Sequence, residues 1–194
     1  MTTTLQVRML GIPEVKLILN HRHVDERGFL VETYNRQAFR AAGIDAVFVQ
    51  DNVSLSHRVG TVRGLHVQLP PAAQAKLVRV VRGRALDVVV DVRRGSSTFG
   101  RHVAVELAND GTQLFVPEGF AHGFCTLAPD TEVAYKLTAP YAVEHERGLH
   151  WADPALGIAW PVTPAIAIVS PRHRTLPPLA ELTPGFGFAR EDES

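Results

Sequence analysis

The sequence predicts an all-β fold, a jelly-roll β-barrel or sandwich with short peripheral helices. Runs of four to eight residues rich in Val, Leu and Phe follow one another from about residue 46 to 138. Gly, Pro, Asn and Asp interrupt these runs every ten or so residues, a pattern typical of sandwiches and barrels. The runs predict eight strands, a number that favours a jelly roll.

The predicted strands follow the apolar runs in chain order. The clearest alternation is in residues 102–107, where Val103, Val105 and Leu107 fall on one face of the strand and the polar or small residues on the other. This period of two is expected of a half-buried strand. The eight strands are predicted near residues 47–50, 62–68, 76–82, 85–92, 102–107, 113–116, 123–127 and 132–137.

Helix is scarce in this sequence. Residues 35–42 predict one short helix that begins at Asn35 as its cap and ends at Gly43, which tolerates a left-handed conformation. Six of the thirteen prolines follow Trp160, so residues 162–194 are predicted to wrap the surface in turns and short helices, with residues 185–194 prone to fray. No repeat or linker divides the chain, so residues 1–194 are predicted to form one domain.

Composition excludes several classes of partner. The 20 Lys and Arg residues balance the 20 Asp and Glu residues, so the chain lacks the basic excess expected of a nucleic-acid or anionic-membrane partner. No stretch approaches the roughly 18 apolar residues of a membrane-spanning helix. The single cysteine, Cys125, cannot form an internal disulfide. We therefore expect a cytoplasmic protein with no nucleic-acid or membrane partner.

Two segments place histidines at fixed distances from glycines. Residues 111–122, GTQLFVPEGFAH, have the spacing of the second cupin motif and end at His122. Residues 60–68, GTVRGLHVQ, resemble the first motif, with His66 as its first histidine but Gln68 in place of its second. Lys76 stands in the stretch that should hold the carboxylate.

This departure bears on metal binding. A transition metal prefers imidazole and carboxylate ligands, and a nearby ammonium repels the cation. The residues therefore predict a cupin-type scaffold in which organic acid and base groups replace the metal site. A metal-dependent cupin oxygenase remains the less favoured alternative.

A longer resemblance extends from about residue 25 to residue 161. Several ordered segments over most of a chain are a specific signal, although any one alone is weak. The segments are DERGFLVETYN at 25–35, FVQDNVSLS at 48–56, VRGLHVQ at 62–68, AKLVRVVRGRALDVVVDVR at 75–93, STFGRHVAVEL at 97–107, VPEGFAHGF at 116–124, YKLTAPY at 135–141 and WADPALGIAWP at 151–161. On these segments the chain resembles the dTDP-4-dehydrorhamnose 3,5-epimerase family of dTDP-sugar epimerases.

The resemblance implies an isomerase that needs no metal and no cofactor and acts on a dTDP-4-keto-6-deoxyhexose such as dTDP-4-keto-6-deoxyglucose. A proton beside the keto group is exchanged through an enolate, C3, C5 or both are inverted, and the product is dTDP-4-keto-rhamnose or a related deoxysugar precursor. This chemistry needs a base, a charge stabiliser at the carbonyl oxygen and a proton donor on the opposite face. The resemblance implies His66 as the base, Lys76 as the enolate stabiliser and Tyr135 as the donor.

The resemblance also implies a set of substrate contacts. Arg27 and Arg63 suit the diphosphate because a guanidinium can bind phosphate through two hydrogen bonds, and Tyr141 matches a residue that stacks on thymine. In the family the segment of Arg27 reaches into the neighbouring subunit's site, which implies a homodimer. The implied substrate-binding residues are Arg27, Glu32, Gln50, Asn52, Arg63, His122, Tyr141, Glu146 and Arg172.

One segment departs from the family pattern. Family members usually carry an Asp there that pairs with the base histidine, whereas the segment here reads VSPRH at 169–173 and places His173 at that position. A carboxylate partner fixes the imidazole tautomer and raises its basicity, so we expect His66 to be a weaker base than usual. Three explanations stay open: a shifted alignment in the proline-rich tail, a substitute acid such as Asp87 or Asp91, or an activity that is reduced or limited to one carbon. Complete loss of turnover would leave a nucleotide-sugar binding protein of the same fold.

Overall fold

The computed structural model describes residues 5–182 and 185–186, and β-strands dominate these ranges. The strands are β1 Gln6–Met9, β2 Lys16–Leu19, β3 Arg22–Asp25, β4 Gly28–Val31, β5 Gln50–Ser56, β6 Val62–Gln68, β7 Lys76–Arg82, β8 Arg84–Asp91, β9 His102–Ala108, β10 Thr112–Val116, β11 Phe120–Thr126, β12 Thr131–Leu137 and β13 Glu146–Gly148. The α-helices are α1 Arg36–Ala41 and α2 Pro171–Arg174, and short 3-10 helices span Val143–His145, Pro154–Leu156 and Leu179–Glu181.

The strands form two antiparallel sheets that pack face to face. The six-stranded sheet has the order β1-β2-β10-β7-β12-β5, and the five-stranded sheet has the order β13-β6-β11-β8-β9. Among the described strands, β3 and β4 pair with each other alone and form a ribbon. The predicted all-β jelly roll is confirmed.

The core between the sheets follows from the alternation along each strand. Val78 and Val80 of β7 meet Val89 of β8 and Phe124 of β11 in one buried cluster. Burial of each such side chain contributes about 1.5–3 kcal/mol to folding. Because side chains alternate between faces, Lys76 lies on the same inner face as Val78 and Val80. The inward face of β7 thus changes from core to functional site within one strand.

The outer face of the five-stranded sheet is also buried. Leu65 of β6 and Val88 and Val90 of β8 point to this face and pack against Leu156 and Leu182 from the C-terminal part of the chain. Strand β8 is therefore buried on both sides, which explains why its sequence is a continuous apolar run. His66, the neighbour of Leu65, is turned to the inner face.

Seven of the eight predicted strands are found with the same or closely similar bounds, and those at 62–68 and 76–82 match in full. The prediction at 47–50 is wrong, because the strand there is β5, Gln50–Ser56, which pairs with β12 along its whole length. The apolar run at 47–49 was the basis of that prediction, but the side chains of Val47 and Val49 are exposed. The inward side chains of β5 are polar, so the strand lacks the apolar signal that marks the others.

Five short strands were not predicted, namely β1 to β4 and β13. The ribbon of β3 and β4 buries no face, with Val24 and Leu30 exposed by 74% and 72%. A strand with no buried face has no reason to alternate polar and apolar residues. Such strands therefore cannot be recognised from hydrophobic periodicity in the sequence.

Helix α1 confirms the predicted helix closely. The side chain of Asn35 accepts hydrogen bonds from the backbone N–H groups of Gln37 and Ala38, and Gly43 follows the helix with φ +76°. The predicted fraying at 185–194 lies outside the described residues except at 185 and 186. Within the described ranges, no helix is both long and apolar enough to span a membrane.

Candidate active site

Three predicted catalytic residues come together between the two sheets. His66 belongs to β6 of the five-stranded sheet, whereas Lys76 and Tyr135 belong to β7 and β12 of the six-stranded sheet. All three line a cavity of about 150 Å³ and a second cavity of about 190 Å³. The site thus lies where the inner faces of both sheets change from apolar to polar side chains.

Two glycines shape the strand that presents His66. Gly64 has φ +115°, and a Cβ atom there would lie 2.5 Å from the Cα atom of Gly123 on the adjacent strand β11. A Cβ atom on Gly123 would in turn lie 2.6 Å from the carbonyl oxygen of Arg63. The register of β6 and β11 shifts at this contact, which places His66 directly opposite His122. Only glycine permits this close approach.

His66 contacts a second histidine. The Nε2 atoms of His66 and His173 are 2.8 Å apart, and the two rings meet edge to face with centroids 4.3 Å apart. His173 lies in α2, which begins after the cap residue Ser170. The structure therefore brings His173 into contact with the histidine that the resemblance implies as the base.

Neither candidate substitute acid pairs with His66. The carboxylate of Asp87, 1% exposed, accepts hydrogen bonds from Nε2 of His122 at 2.9 and 3.1 Å. The carboxylate of Asp91 accepts hydrogen bonds from Arg93 and from the hydroxyls of Ser96 and Thr98 instead. Of the open explanations, a substitute acid at Asp87 or Asp91 is therefore not supported, since both carboxylates are bound to other partners.

The surroundings of His66 disfavour its charged form. Burial is the largest cause, followed by the positive charges of Lys76, His173, His122 and Arg172, and together they lower the pKa of His66 to about 2. The imidazole is therefore neutral throughout the physiological range. A neutral imidazole can accept a proton, but none of the described groups that act on His66 offsets the positive charge that would result.

Lys76 is buried beside His66. Its Nζ atom donates a hydrogen bond to the backbone oxygen of His66 at 3.2 Å. Burial lowers the pKa of Lys76 to about 8, although the charges of Asp87 and Glu146 act in the opposite direction. The side chain is thus mainly an ammonium at neutral pH, and it has further N–H groups for a substrate oxygen.

Most of the predicted substrate contacts surround the two cavities. Gln50 donates to Asn52 at 3.0 Å and accepts from the backbone N–H of Tyr141, while the Tyr141 hydroxyl donates to Glu146 at 2.8 Å. Arg172 forms an ion pair with Glu146. The predicted residues that line a cavity are Asn52, Arg63, His122, Tyr141 and Glu146.

Arg27 and Glu32 are not brought to these cavities within one chain. Arg27 lies at the turn of the β3–β4 ribbon, where its side chain is 85% exposed and pairs with Asp25. Glu32 follows the ribbon and is also exposed. Within one chain, neither side chain therefore lines the cavities that contain His66.

The structure also identifies site residues that sequence reasoning missed. Ser54 lines the smaller cavity, and its buried hydroxyl lacks a hydrogen-bond partner in the described part of the chain. The available signal was the polar alternation of Gln50, Asn52 and Ser54 along one strand face. A polar inward face on a strand of a packed sandwich indicates a cavity rather than a core.

Gln68 has a structural role at the position of the second cupin histidine. Its amide nitrogen donates to the carbonyl oxygens of Ala72 and Pro140, and its amide oxygen accepts from the N–H of Ala142. These bonds fix both sides of Tyr141. Among residues 5–182 and 185–186, no three His, Cys, Asp or Glu side chains form a potential metal cluster. With the amide engaged and Lys76 present, the side chains here do not fit a divalent cation.

The fold and the facing histidines of β6 and β11 define a cupin-type jelly-roll protein. The family model described as dTDP-4-dehydrorhamnose 3,5-epimerase matches residues 9–181. The chain therefore belongs to the dTDP-4-dehydrorhamnose 3,5-epimerase family. The family and the enzyme class expected from the sequence, a sugar-nucleotide isomerase, are confirmed.

Close relatives cover nearly the whole chain. A dTDP-4-dehydrorhamnose 3,5-epimerase from Sinorhizobium fredii is 50% identical over 182 residues, 93% of each protein. The crystal structure of the Bacillus anthracis enzyme with TDP and PPi bound has a TM-score of 0.87 and 43% identity, covering 90% of this chain and 99% of that one. The Legionella pneumophila enzyme in complex with dTDP-4-keto-L-rhamnose has a TM-score of 0.88 and 39% identity, covering 92% of this chain and 95% of that one.

Proposed function

We propose that this protein is an epimerase of a dTDP-4-keto-6-deoxyhexose that inverts C5, C3 or both through an enolate. The product is dTDP-4-keto-rhamnose or a related deoxysugar precursor. The observation that carries the proposal is that His66, Lys76 and Tyr135 line the same pair of cavities. A base, a cation and a phenol around one cavity supply the groups that proton exchange beside a ketone requires.

The first step removes a proton from the carbon next to the ketone. His66 is neutral because of its burial and cationic surroundings, so it is free to accept this proton. The electron pair of the C–H bond moves into the enolate, and the ammonium of Lys76 stabilises the negative oxygen. Such stabilisation is strong in a site that excludes water.

The second step returns a proton from the other side. Tyr135 projects from the six-stranded sheet and His66 from the five-stranded sheet, so a sugar between the sheets has one of them on each face. A proton removed on the His66 side and returned by the Tyr135 hydroxyl inverts the carbon. Return from the His66 side restores the original configuration.

The nucleotide is proposed to lie against Tyr141. This ring is 51% exposed, but its position is fixed by a hydrogen bond from its hydroxyl to Glu146 and by the bond from its N–H to Gln50. A fixed, half-exposed aromatic ring suits stacking on thymine. Arg63 lines the smaller cavity and is proposed to bind the diphosphate.

A homodimer would complete the site. The β3–β4 ribbon exposes Val24 and Leu30 together with Arg27, and clustered exposed apolar side chains mark an interaction surface. We propose that the ribbon of one chain packs on its partner and delivers Arg27 and Glu32 to the partner's site. The expected cytoplasmic location stays a prediction.

A nucleotide-sugar binding protein without turnover is the second candidate. The observation that favours it is the imidazole of His173 in place of the family's carboxylate, because this imidazole adds positive charge next to the base. Binding residues such as Arg63 and Tyr141 do not depend on His173.

Hydrogen exchange separates the two candidates. The protein is incubated with dTDP-4-keto-6-deoxyglucose in D2O, and C3 and C5 are followed by NMR. The proposal expects deuterium at one or both carbons together with the inverted product. Tight dTDP binding without any deuterium incorporation would instead establish the binding protein.

A further inference from the structure

The contact between His66 and His173 has chemical consequences beyond those of a histidine–carboxylate pair. We propose that His173 is a proton-relay residue: the proton taken from the substrate carbon by His66 displaces the Nε2 proton of His66 onto Nε2 of His173. This inference rests on the proposed epimerase function and adds a positioning and relay residue to it. The 2.8 Å separation of the two Nε2 atoms is a hydrogen-bond distance across which a proton can move.

The contact with His173 assigns different roles to the two ring nitrogens of His66. Nε2 of His66 is occupied by His173, so Nδ1 is the nitrogen left for a substrate in the cavities that His66 lines. For Nδ1 to act as a base it must lack a proton, and the neutral ring then carries its proton on Nε2. Nε2 of His66 is therefore the donor to His173 in the reactive tautomer, and Nε2 of His173 is the acceptor.

A positive charge that remained on His66 would be poorly placed. Lys76 faces the ring from β7, His122 faces it from β11, and Arg172 approaches it from α2. Tyr135 from β12 shares the cavity and contributes a phenol hydroxyl. None of these groups supplies the negative charge that stabilises an imidazolium.

His173 is better placed to hold the charge. It is less deeply buried than His66, and Glu146 of β13 acts on it to favour the charged form. Arg172 on its own helix and Arg63 of β6 act against the charge, and burial is the largest cause that lowers the pKa of His173. Glu146 nevertheless gives His173 a counter-charge that His66 lacks.

The proposed step balances in atoms and electrons. The C–H bond of the substrate breaks, its electron pair enters the enolate, and a new N–H bond forms at Nδ1 of His66. The Nε2–H bond of His66 breaks and an Nε2–H bond forms on His173. His66 ends neutral, His173 ends as the imidazolium, and the ammonium of Lys76 faces the enolate oxygen.

A second observation concerns the far nitrogen of His173. Nδ1 of His173 is buried and has no hydrogen-bond partner in the part of the chain that the structure describes. In the relay this nitrogen carries a proton, and a buried N–H requires an acceptor. The relay therefore requires the His173 ring to move toward the smaller cavity, which it lines, before a substrate oxygen or a water can accept from this N–H.

The test compares the wild type with His173→Asp and His173→Asn. A carboxylate holds the His66 proton without taking it, as in the serine-protease triad, and an amide cannot take it at all. The substrate carries tritium at C5 or C3, and the rate of tritium release is measured in H2O and in D2O. A dTDP binding measurement shows that each variant retains the site.

The relay predicts that tritium release by the wild type is slower in D2O, because an exchangeable N–H moves in the same step. His173→Asp should release tritium at nearly the same rate in both solvents, and His173→Asn should be slower than wild type by about 100-fold, the lower range for loss of a general base. A solvent effect that is equal in wild type and His173→Asp overturns the relay. Absence of any release by the wild type, with dTDP bound normally, overturns the proposed function instead.

Discussion

The buried carboxylate of Asp87 accepts hydrogen bonds from Nε2 of His122 at 2.9 and 3.1 Å, directly across the sheet from the strand that carries His66. Of the two facing histidines, His122 thus has a carboxylate partner and His66 has an imidazole partner. The carboxylate also acts on Lys76, whose pKa it raises against the effect of burial. One acid therefore orients a histidine and keeps the neighbouring lysine charged.

Replacement of Asp87 by Asn should shift the alkaline loss of exchange activity to a lower pH. Without the carboxylate, the pKa of Lys76 falls below its value of about 8, so the ammonium is lost nearer to neutrality. The measurement is the rate of deuterium incorporation between pH 6 and 10. Asp130→Asn, at an exposed ion pair with His57, is the control and should leave the profile unchanged. An identical alkaline limb in Asp87→Asn and wild type would contradict the electrostatic role of Asp87.

Sequence reasoning succeeded where side chains alternate or where a motif names a residue. Strand β9 was predicted because Val103 and Leu107 are buried while Ala104 and Glu106 face solvent. His66 and Lys76 were identified from the family motifs, and the structure places both in one site. Both kinds of signal lie within one segment of the sequence, so they can be recognised without knowledge of the rest of the fold.

The signals that sequence reasoning lacked are those that depend on distant partners. Strand β5 was misplaced because its inward residues, among them Asn52 and Ser54, line a cavity instead of the core. The close backbone contact between Gly64 and Gly123 depends on the shifted register of β6 and β11. The sequence of either strand alone does not reveal that register. The engagement of Asp87 with His122 rather than His66 likewise depends on which strands are neighbours.

Lys76 should lower the stability of the protein at neutral pH. Its pKa is about 8 in the folded state and 10.5 in the reference state, so the unfolded chain binds more protons between these values and stability rises with pH across that window. Below pH 8 the penalty is fully present, on the order of 3 kcal/mol.

Lys76→Met should therefore increase the free energy of unfolding at pH 7 while it abolishes proton exchange. Urea denaturation at pH 7 and at pH 10.5 is the measurement, with Lys136→Met at a partly exposed ion pair as the control. The stabilisation should shrink at the higher pH. A Lys76→Met protein that is less stable than wild type at pH 7 would refute the burial cost assigned to this ammonium.

The glycine contact behind His66 should tolerate no side chain. Gly64→Ala places a Cβ atom 2.5 Å from backbone at φ +115°, so β6 and β11 must separate. We expect a loss of about 1–3 kcal/mol in unfolding free energy, together with loss of exchange activity. Gly11→Ala is the matched control, because a Cβ atom there meets nothing within 4 Å. Equal stability of the two variants in urea denaturation would show that the contact is not rigid.

The base and the acid should be separable by experiment. His66→Ala should remove exchange at both carbons, since no other group is proposed to take the proton. Tyr135→Phe should still permit deuterium exchange from the His66 side but should impair inversion at C5, because the hydroxyl that delivers a proton to the opposite face is gone. NMR of the sugar in D2O reports exchange and configuration in the same sample. Full epimerase activity in both variants would mean that the roles are wrongly assigned.

Gln68 should affect nucleotide binding rather than chemistry. Its amide bonds to the backbone of Pro140 and Ala142 hold the residue between them, Tyr141, at the edge of the larger of the two site cavities. Gln68→Leu keeps similar volume but leaves these backbone groups without their partner, at a cost of about 1–3 kcal/mol. Since Tyr141 is proposed to stack on thymine and takes no part in proton transfer, KM should rise and kcat should change little. The measurements are steady-state kinetics and dTDP titration of Gln68→Leu and Tyr141→Ala. Both variants should bind dTDP more weakly than the wild type. A large fall in kcat with unchanged KM would place Gln68 in the chemical step instead.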